Sequence, residues 1–147
     1  MVLATTSFAY PALIEPNGEG GFIASFRDIP EALTEAPTRD EVLDSAVDAL
    51  LVALGFYVES ERAVPSPSVP KAGEMLVDVP PSAAAKVLLL TSMVEKGVRP
   101  AELARRLGVS RQEVHRLTSL RHATKIDGVA KALRALGYRL ELSLAKA

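Results

Sequence analysis

Pro100-Ala-Glu-Leu-Ala-Arg-Arg-Leu-Gly-Val-Ser-Arg-Gln-Glu-Val-His-Arg-Leu117 is the stretch that decides the fold. Two short helices crossing at a steep angle need particular residue types at fixed places. Leu103 and Leu107 stand one turn apart and face a core. Ala104 sits where the second helix crosses, a position that must be small. Gly108 ends the first helix with positive φ, at no steric cost. Val109 is expected to plug the core at the turn. Ser110 and Glu113 have the spacing of a capping box, whose hydroxyl accepts from the third amide while the carboxylate reaches back. Val114 and Leu117 turn the second helix inward. The pattern specifies a helix-turn-helix.

The outward face of that second helix is then Ser110, Arg111, Gln112, His115, Arg116 and Ser119. Arg suits guanine edges, Gln suits adenine, and Ser suits phosphate, so the face is expected to bind DNA. His115 falls on the face without a strong base preference. His122 lies in Leu120-Arg-His-Ala-Thr-Lys125, where a structural or phosphate-facing place is expected rather than a catalytic one. Arg121 and Lys125 are placed near phosphates.

Outward from the motif, a helix runs from a Ser82 cap to about Lys96, and Gly97 suits its left-handed stop. Thr124-Lys-Ile-Asp127 reads as a further capping box, giving three short helices after Gly97. The chain closes on Tyr138-Arg-Leu-Glu-Leu-Ser-Leu144, which alternates as a strand. Tyr138, Leu140, Leu142 and Leu144 share one face of it. A lone strand is a template for another chain, and operators usually have two half-sites. A homodimer or higher homo-oligomer through residues 81–147 is therefore expected.

Charge divides the chain. Residues 1–80 hold 13 Asp/Glu against 4 Lys/Arg, a net −9, and residues 81–147 hold 5 against 13, a net +8. Such asymmetry points to two domains, 1–80 and 81–147, with different partners: a polyanion for the basic half and a cationic partner for the acidic one.

The acidic half begins with a strand, Phe8-Ala-Tyr-Pro-Ala-Leu-Ile14, which Pro11 assigns to an edge or bulge. Asn17-Gly18 is a hairpin signal, and Phe22-Ile-Ala-Ser-Phe26 returns. Ala32-Leu-Thr34 is a short third strand. Thr38-Arg-Asp-Glu41 is a capping box for a helix to about Ser60, with Leu43, Val47, Leu50, Leu54 and Tyr57 as its apolar stripe. Residues 64–73 are a Pro/Ser linker, extended and stiff. A short strand, 75–79, follows.

Several function classes are excluded. The chain has no cysteine, hence no disulfide, thiolate metal site or Cys catalysis. Its two histidines lack zinc spacing, so no metal and no cofactor is expected. No run of about 18 apolar residues suggests a membrane span. Residues 1–7 lack the features of a secretion signal and read as an extension or misassigned start; the expected location is the cytoplasm. Glu15, Glu19, Asp28, Glu31 and Glu35 invite a two-metal nuclease reading, but they flank a turn or lie in a Pro-broken segment. Without a histidine, phosphate loop or nucleophile elbow in this half, no catalytic residue is assigned. Glu15, Glu19, Asp28 and Glu31 are assigned instead to an acidic binding face.

Tyr10 through Thr34, Thr38 through Pro67, Val79-Pro-Pro-Ser-Ala-Ala-Ala-Lys-Val-Leu-Leu-Leu90 and Leu120 through Asp127 resemble HicB antitoxins of the helix-turn-helix branch, over about residues 8–147. The resemblance implies an α+β chain. Its first domain would be a partial ribonuclease-H-like β-β-β-α-β fold without catalytic carboxylates. Its second would be an all-α Xre/Cro-like helix-turn-helix, to which the sequence adds the terminal strand. It also implies a HicA-type messenger-RNA-cleaving toxin bound by the first domain and operator DNA bound by the second. The alternative is a stand-alone regulator whose acidic domain senses something else.

Overall fold

The computed structural model describes residues 8–147, so the expectation for residues 1–7 lies outside the described residues. Two compact units divide between Pro80 and Pro81. The whole is α+β: a four-stranded antiparallel sheet with one helix, then four helices.

The first unit runs β1 (Ala9–Pro16), β2 (Phe22–Ser25), β3 (Leu33–Ala36), α1 (Arg39–Glu59) and β4 (Glu74–Asp78), with strand order β3-β2-β1-β4. Pro11 does not make β1 an edge strand, for β1 is interior. Yet Pro11 pairs with Leu76 of β4 in the half of β1 that lacks β2, whose pairing begins at Leu13. Beside Pro11 the sheet is locally an edge, which tolerates a residue without an amide donor.

The hairpin expected at Asn17-Gly18 is built as a longer loop rather than a two-residue turn. The Asn17 amide donates to Gly21 O (3.0 Å), and Asn17 Oδ1 accepts from the amides of Glu19 and Gly21. A Cβ at Gly21 would lie 2.7 Å from the Ala36 carbonyl oxygen, so only glycine lets β3 approach the loop there.

Thr38 caps α1, its Oγ1 accepting from the Glu41 amide at 3.2 Å. The buried stripe is Val42, Ala46, Leu50, Ala53, Leu54, Tyr57 and Val58. Leu43 and Val47, expected inside, are only half-buried. Small Ala46 and Ala53 take the inner positions, where the helix backbone lies near the sheet. Spacings of three and four fit both stripes, so picking the bulkier residues selects the wrong one over the first two turns.

Residues 63–70 have no regular structure and stay within this unit. Asp28 accepts from both the amide and the hydroxyl of Ser68, and Arg27 donates to Val69 O at 2.7 Å. Tyr10, fully buried, donates its hydroxyl to Pro65 O at 2.7 Å. The segment is a strap tied to the sheet rather than a free spacer.

The second unit packs α2 (Pro81–Lys96), α3 (Pro100–Leu107), α4 (Arg111–Thr118) and α5 (Ile126–Ala135) around Leu89, Leu103, Val114, Val129 and Leu136. Ser82 lies inside the first turn of α2 rather than capping it, because Pro81 already begins the helix. Gly97 is left-handed, as expected. Val109 does not plug the core: it is 37% exposed, while Val98 is 6% exposed and belongs to the core. Thr124 caps nothing. Lys125 is the N-cap of α5 without a side-chain cap, and the Thr124 hydroxyl donates instead to Arg116 O at 3.2 Å.

The terminal strand is absent, since residues 138–147 form no ladder. Tyr138 and Leu140 pack on the helical core, and Leu142 and Leu144 are 78% and 102% exposed. The alternation suits a strand, but this unit's described residues offer no second strand to complete it. The core claims the first two apolar side chains and leaves the last two.

Candidate nucleic-acid interface and acidic faces

The turn between α3 and α4 is built as its residues require. Gly108 is left-handed at φ 67°, and its amide reaches Arg105 O at 3.3 Å, closing α3. Ser110 caps α4, accepting from the Glu113 amide at 3.1 Å. Val114 and Leu117 anchor α4 in the core.

With the inner side fixed, Ser110, Arg111, Gln112, His115 and Arg116 are all exposed on α4 or at its start. Arg111 forms no ion pair among the described residues, whereas Arg116 faces Glu113 at 3.7 Å. That exposed pair contributes little and does not remove Arg116 from use. Arg105 is exposed as well. Together with Ala101, Ala104, Gly108, Val109 and Arg111 it lines an open cleft of about 450 Å³. The exposed Val109 forms part of that cleft wall.

Ser119 is not on the helix. It follows the last turn with extended backbone (φ −82°, ψ 117°) and is half-buried. Arg121 and Lys125 are exposed on the loop after α4.

The structure adds Lys86, which sequence reasoning missed. Its side chain is 1% exposed in the middle of α2. Nζ donates to the carbonyls of Arg116 (3.0 Å), Ser119 (2.9 Å) and His122. A buried ammonium needs such acceptors, because desolvation works against its charge and lowers its pKa. These carbonyls belong to the last turn of α4 and the loop behind it, which α4 leaves unsatisfied. Lys86 thus holds the exit of α4. Its signal was a single charge inside Ala83-Ala-Ala-Lys-Val-Leu-Leu-Leu90. His122 contributes its carbonyl to this knot while its residue stays exposed.

In the first unit the four expected acidic residues divide. Glu15 and Glu19 are exposed at the loop end of the β1–β2 hairpin. Asp28 is occupied by Ser68, with only 10% of its side chain exposed. Glu31 is exposed but engaged: Tyr57 Oη donates to it at 2.8 Å, and Arg62 lies 3.4 Å away while stacking 4.1 Å over the Tyr57 ring. The Tyr57 hydrogen bond is the main reason the Glu31 pKa falls below its ordinary value. Arg27 grips Glu74 through two nitrogens, at 2.9 and 3.1 Å, and holds that carboxyl below the usual carboxylate range.

Among the described residues, no group of three or more His, Cys, Asp or Glu is placed to hold a metal ion, and no helix is long and apolar enough to cross a membrane.

Residues 9–88 match the family described as HicB-like antitoxin of bacterial toxin–antitoxin system. The chain is 48% identical over 135 residues to Antitoxin HicB 1 of Photorhabdus laumondii, covering 92% of this chain and 86% of the relative. Antitoxin HicB 2 of the same organism is 52% identical over 133 residues, covering 90% and 94%. Antitoxin HicB of Escherichia coli is 47% identical over 133 residues, covering 90% and 96%. Alignments of that length cannot fit within residues 1–80, so the likeness extends into the second unit.

Proposed function

This chain belongs to the HicB-like antitoxin family of bacterial toxin–antitoxin systems, and from that premise we propose that its two units have separate tasks. Residues 8–80, read as the partial ribonuclease-H-like fold, bind and neutralise a HicA-type messenger-RNA-cleaving toxin. Residues 81–147, read as an Xre/Cro-like helix-turn-helix, bind operator DNA and repress the operon. The chain works in the cytoplasm, as a homodimer through its second unit, without a catalytic residue or cofactor.

The observation that carries the DNA reading is the division of α4. Val114 and Leu117 fix it from inside and Lys86 from behind, while Arg111, Gln112 and His115 are exposed together. A helix presented so, in a half of net charge +8, suits a major groove. For the toxin, family membership and the −9 of residues 1–80 are the support. A messenger-RNA-cleaving protein must hold phosphates with cations, and such a surface is attracted to an acidic unit.

The test uses the whole chain and the HicA-type toxin of its operon. Wild type is expected to relieve toxin-induced growth arrest and to shift operator DNA. Arg111→Ala combined with Gln112→Ala is expected to lose the operator shift and keep the relief. Loss of both by this variant would refute the division of tasks.

A further inference from the structure

The exposed positions of α1 beyond its first two residues form one continuous line: Glu41, Asp44, Asp48, Val52, Phe56 and Glu59. Their spacings of three and four put them on a single helix face. Phe56 is 56% exposed and Val52 37%, one turn apart, in a helix whose other apolar residues are turned inward or half-covered. Four carboxylates and two apolar side chains, without a cation, make up this face.

None of the four carboxylates joins an ion pair among the described residues. Glu41, Asp44 and Asp48 are spaced so that like charges repel along the helix. Glu59 stands at the carbonyl end, where the helix dipole disfavours an anion, and no basic residue occupies that last turn. In the free unit these features oppose the helix. A cationic surface laid over the face reverses the sign of each, and an aromatic ring among charges is the usual make-up of an interface anchor and its rim.

We propose that this face of α1 is where the cationic toxin docks, with Phe56 as the apolar anchor, Val52 beside it, and Asp44, Asp48 and Glu59 as the charged border. The inference rests on the toxin-neutralising reading above and specifies its surface. Of the acidic residues expected from sequence to meet the partner, Asp28 and Glu31 are engaged within the unit. Glu15 and Glu19 sit on a loop without an exposed large apolar neighbour. The α1 face combines unopposed charge with apolar area.

The experiment measures binding of the full-length chain to the HicA-type toxin of its operon at low and high salt. Phe56→Ala is expected to weaken binding about tenfold or more, chiefly through faster dissociation. Asp48→Lys is expected to slow association at low salt, with the difference shrinking at high salt. Its thermal midpoint should stay level or rise, since Asp44 and Lys at 48 become an attractive pair. Because both sites are exposed, unfolding does not explain a loss, and the midpoint checks it. Failure of wild type to bind would refute the neutralising reading itself. Wild-type binding with undiminished affinity in both variants would overturn this surface alone. So would loss confined to Glu15→Lys with Glu19→Lys, which would move the contact to the hairpin. A changed sedimentation state of Phe56→Ala with unchanged toxin affinity would also overturn it, assigning the face to a second copy.

Discussion

Lys86 Nζ donates to the Ser119 carbonyl over 2.9 Å, tying the middle of α2 to the residue just past the end of α4. The same nitrogen serves Arg116 O and His122 O, so three carbonyls on one short stretch converge on one buried ammonium. Lys86→Met fills the apolar space but removes the shared donor, leaving Arg116 O with only the Thr124 hydroxyl, Ser119 O with only the His122 amide, and His122 O with neither. Unsatisfied buried acceptors cost about 1–3 kcal/mol each when they cannot reach water. We expect a loss of about 2–4 kcal/mol in urea unfolding, in the range of a broken buried network. Lys86→Arg should rescue only in part, because a planar fork cannot turn three donors onto convergent carbonyls. Wild-type stability for Lys86→Met would contradict the assignment.

On the DNA-binding reading proposed above, base readout and phosphate holding should separate by residue. If Arg111 and Gln112 reach base edges, replacing either with Ala costs about 1–3 kcal/mol on the operator and relaxes specificity at one position. Arg121→Ala and Lys125→Ala should weaken operator and random DNA alike and flatten the salt dependence. Equal losses on both DNAs for Arg111→Ala would place that side chain on the backbone instead.

Tyr10 supplies an alkaline signature. Its phenol is pushed up to about 12 by burial first, with Asp28 and Tyr57 adding to the shift. A raised folded pKa favours the neutral form. The stabilisation is therefore full below the unfolded value of 10.0 and is lost as pH rises through about 12. A shift of that size corresponds to roughly 2–3 kcal/mol. Tyr10→Phe removes this dependence and costs about 1 kcal/mol at neutral pH through the lost bond to Pro65. Ultraviolet titration of the phenolates, with urea midpoints from about pH 9 upward, checks both. Full ionisation of Tyr10 near pH 10 in the folded chain would contradict the burial argument.

The turn between α3 and α4 was legible because each of its demands is local: Gly108 for left-handed backbone, Ser110 for a cap, Val114 and Leu117 for the core. Where the sequence misled, a distant partner decided. Thr124 looks like a cap until Arg116 O takes its hydroxyl, and Asp28 looks like a free acid until Ser68 folds back onto it. Lys86 was invisible for the same reason, its acceptors lying 30 to 36 residues away along the chain. The inner stripe of α1 was off by one position at Val42 and Ala46, because alanine gives little sequence signal although close helix–sheet packing requires it.

Tyr138 and Leu140 are held on the helical core, and Lys96 lies 4.8 Å over the Tyr138 ring, so these two residues belong to the monomer's fold. Leu142 and Leu144 continue the same alternation with nothing covering them. In the proposed homodimer the two copies pair antiparallel here, satisfying the open backbone groups and burying those leucines. Substitutions on the two halves of the segment should then separate stability from assembly. Leu140→Ala is expected to lower the thermal midpoint of the second unit, as a partial core truncation does. Leu142→Arg is expected to leave the midpoint of the separated chain unchanged and to shift sedimentation from dimer to monomer. It should also weaken operator binding, because a single helix-turn-helix engages one half-site, while toxin neutralisation persists. A Leu142→Arg chain that sediments as a dimer and grips its operator like wild type would sink this interface. A monomeric Leu142→Arg chain with undiminished operator affinity would show instead that the helix-turn-helix does not need its pair.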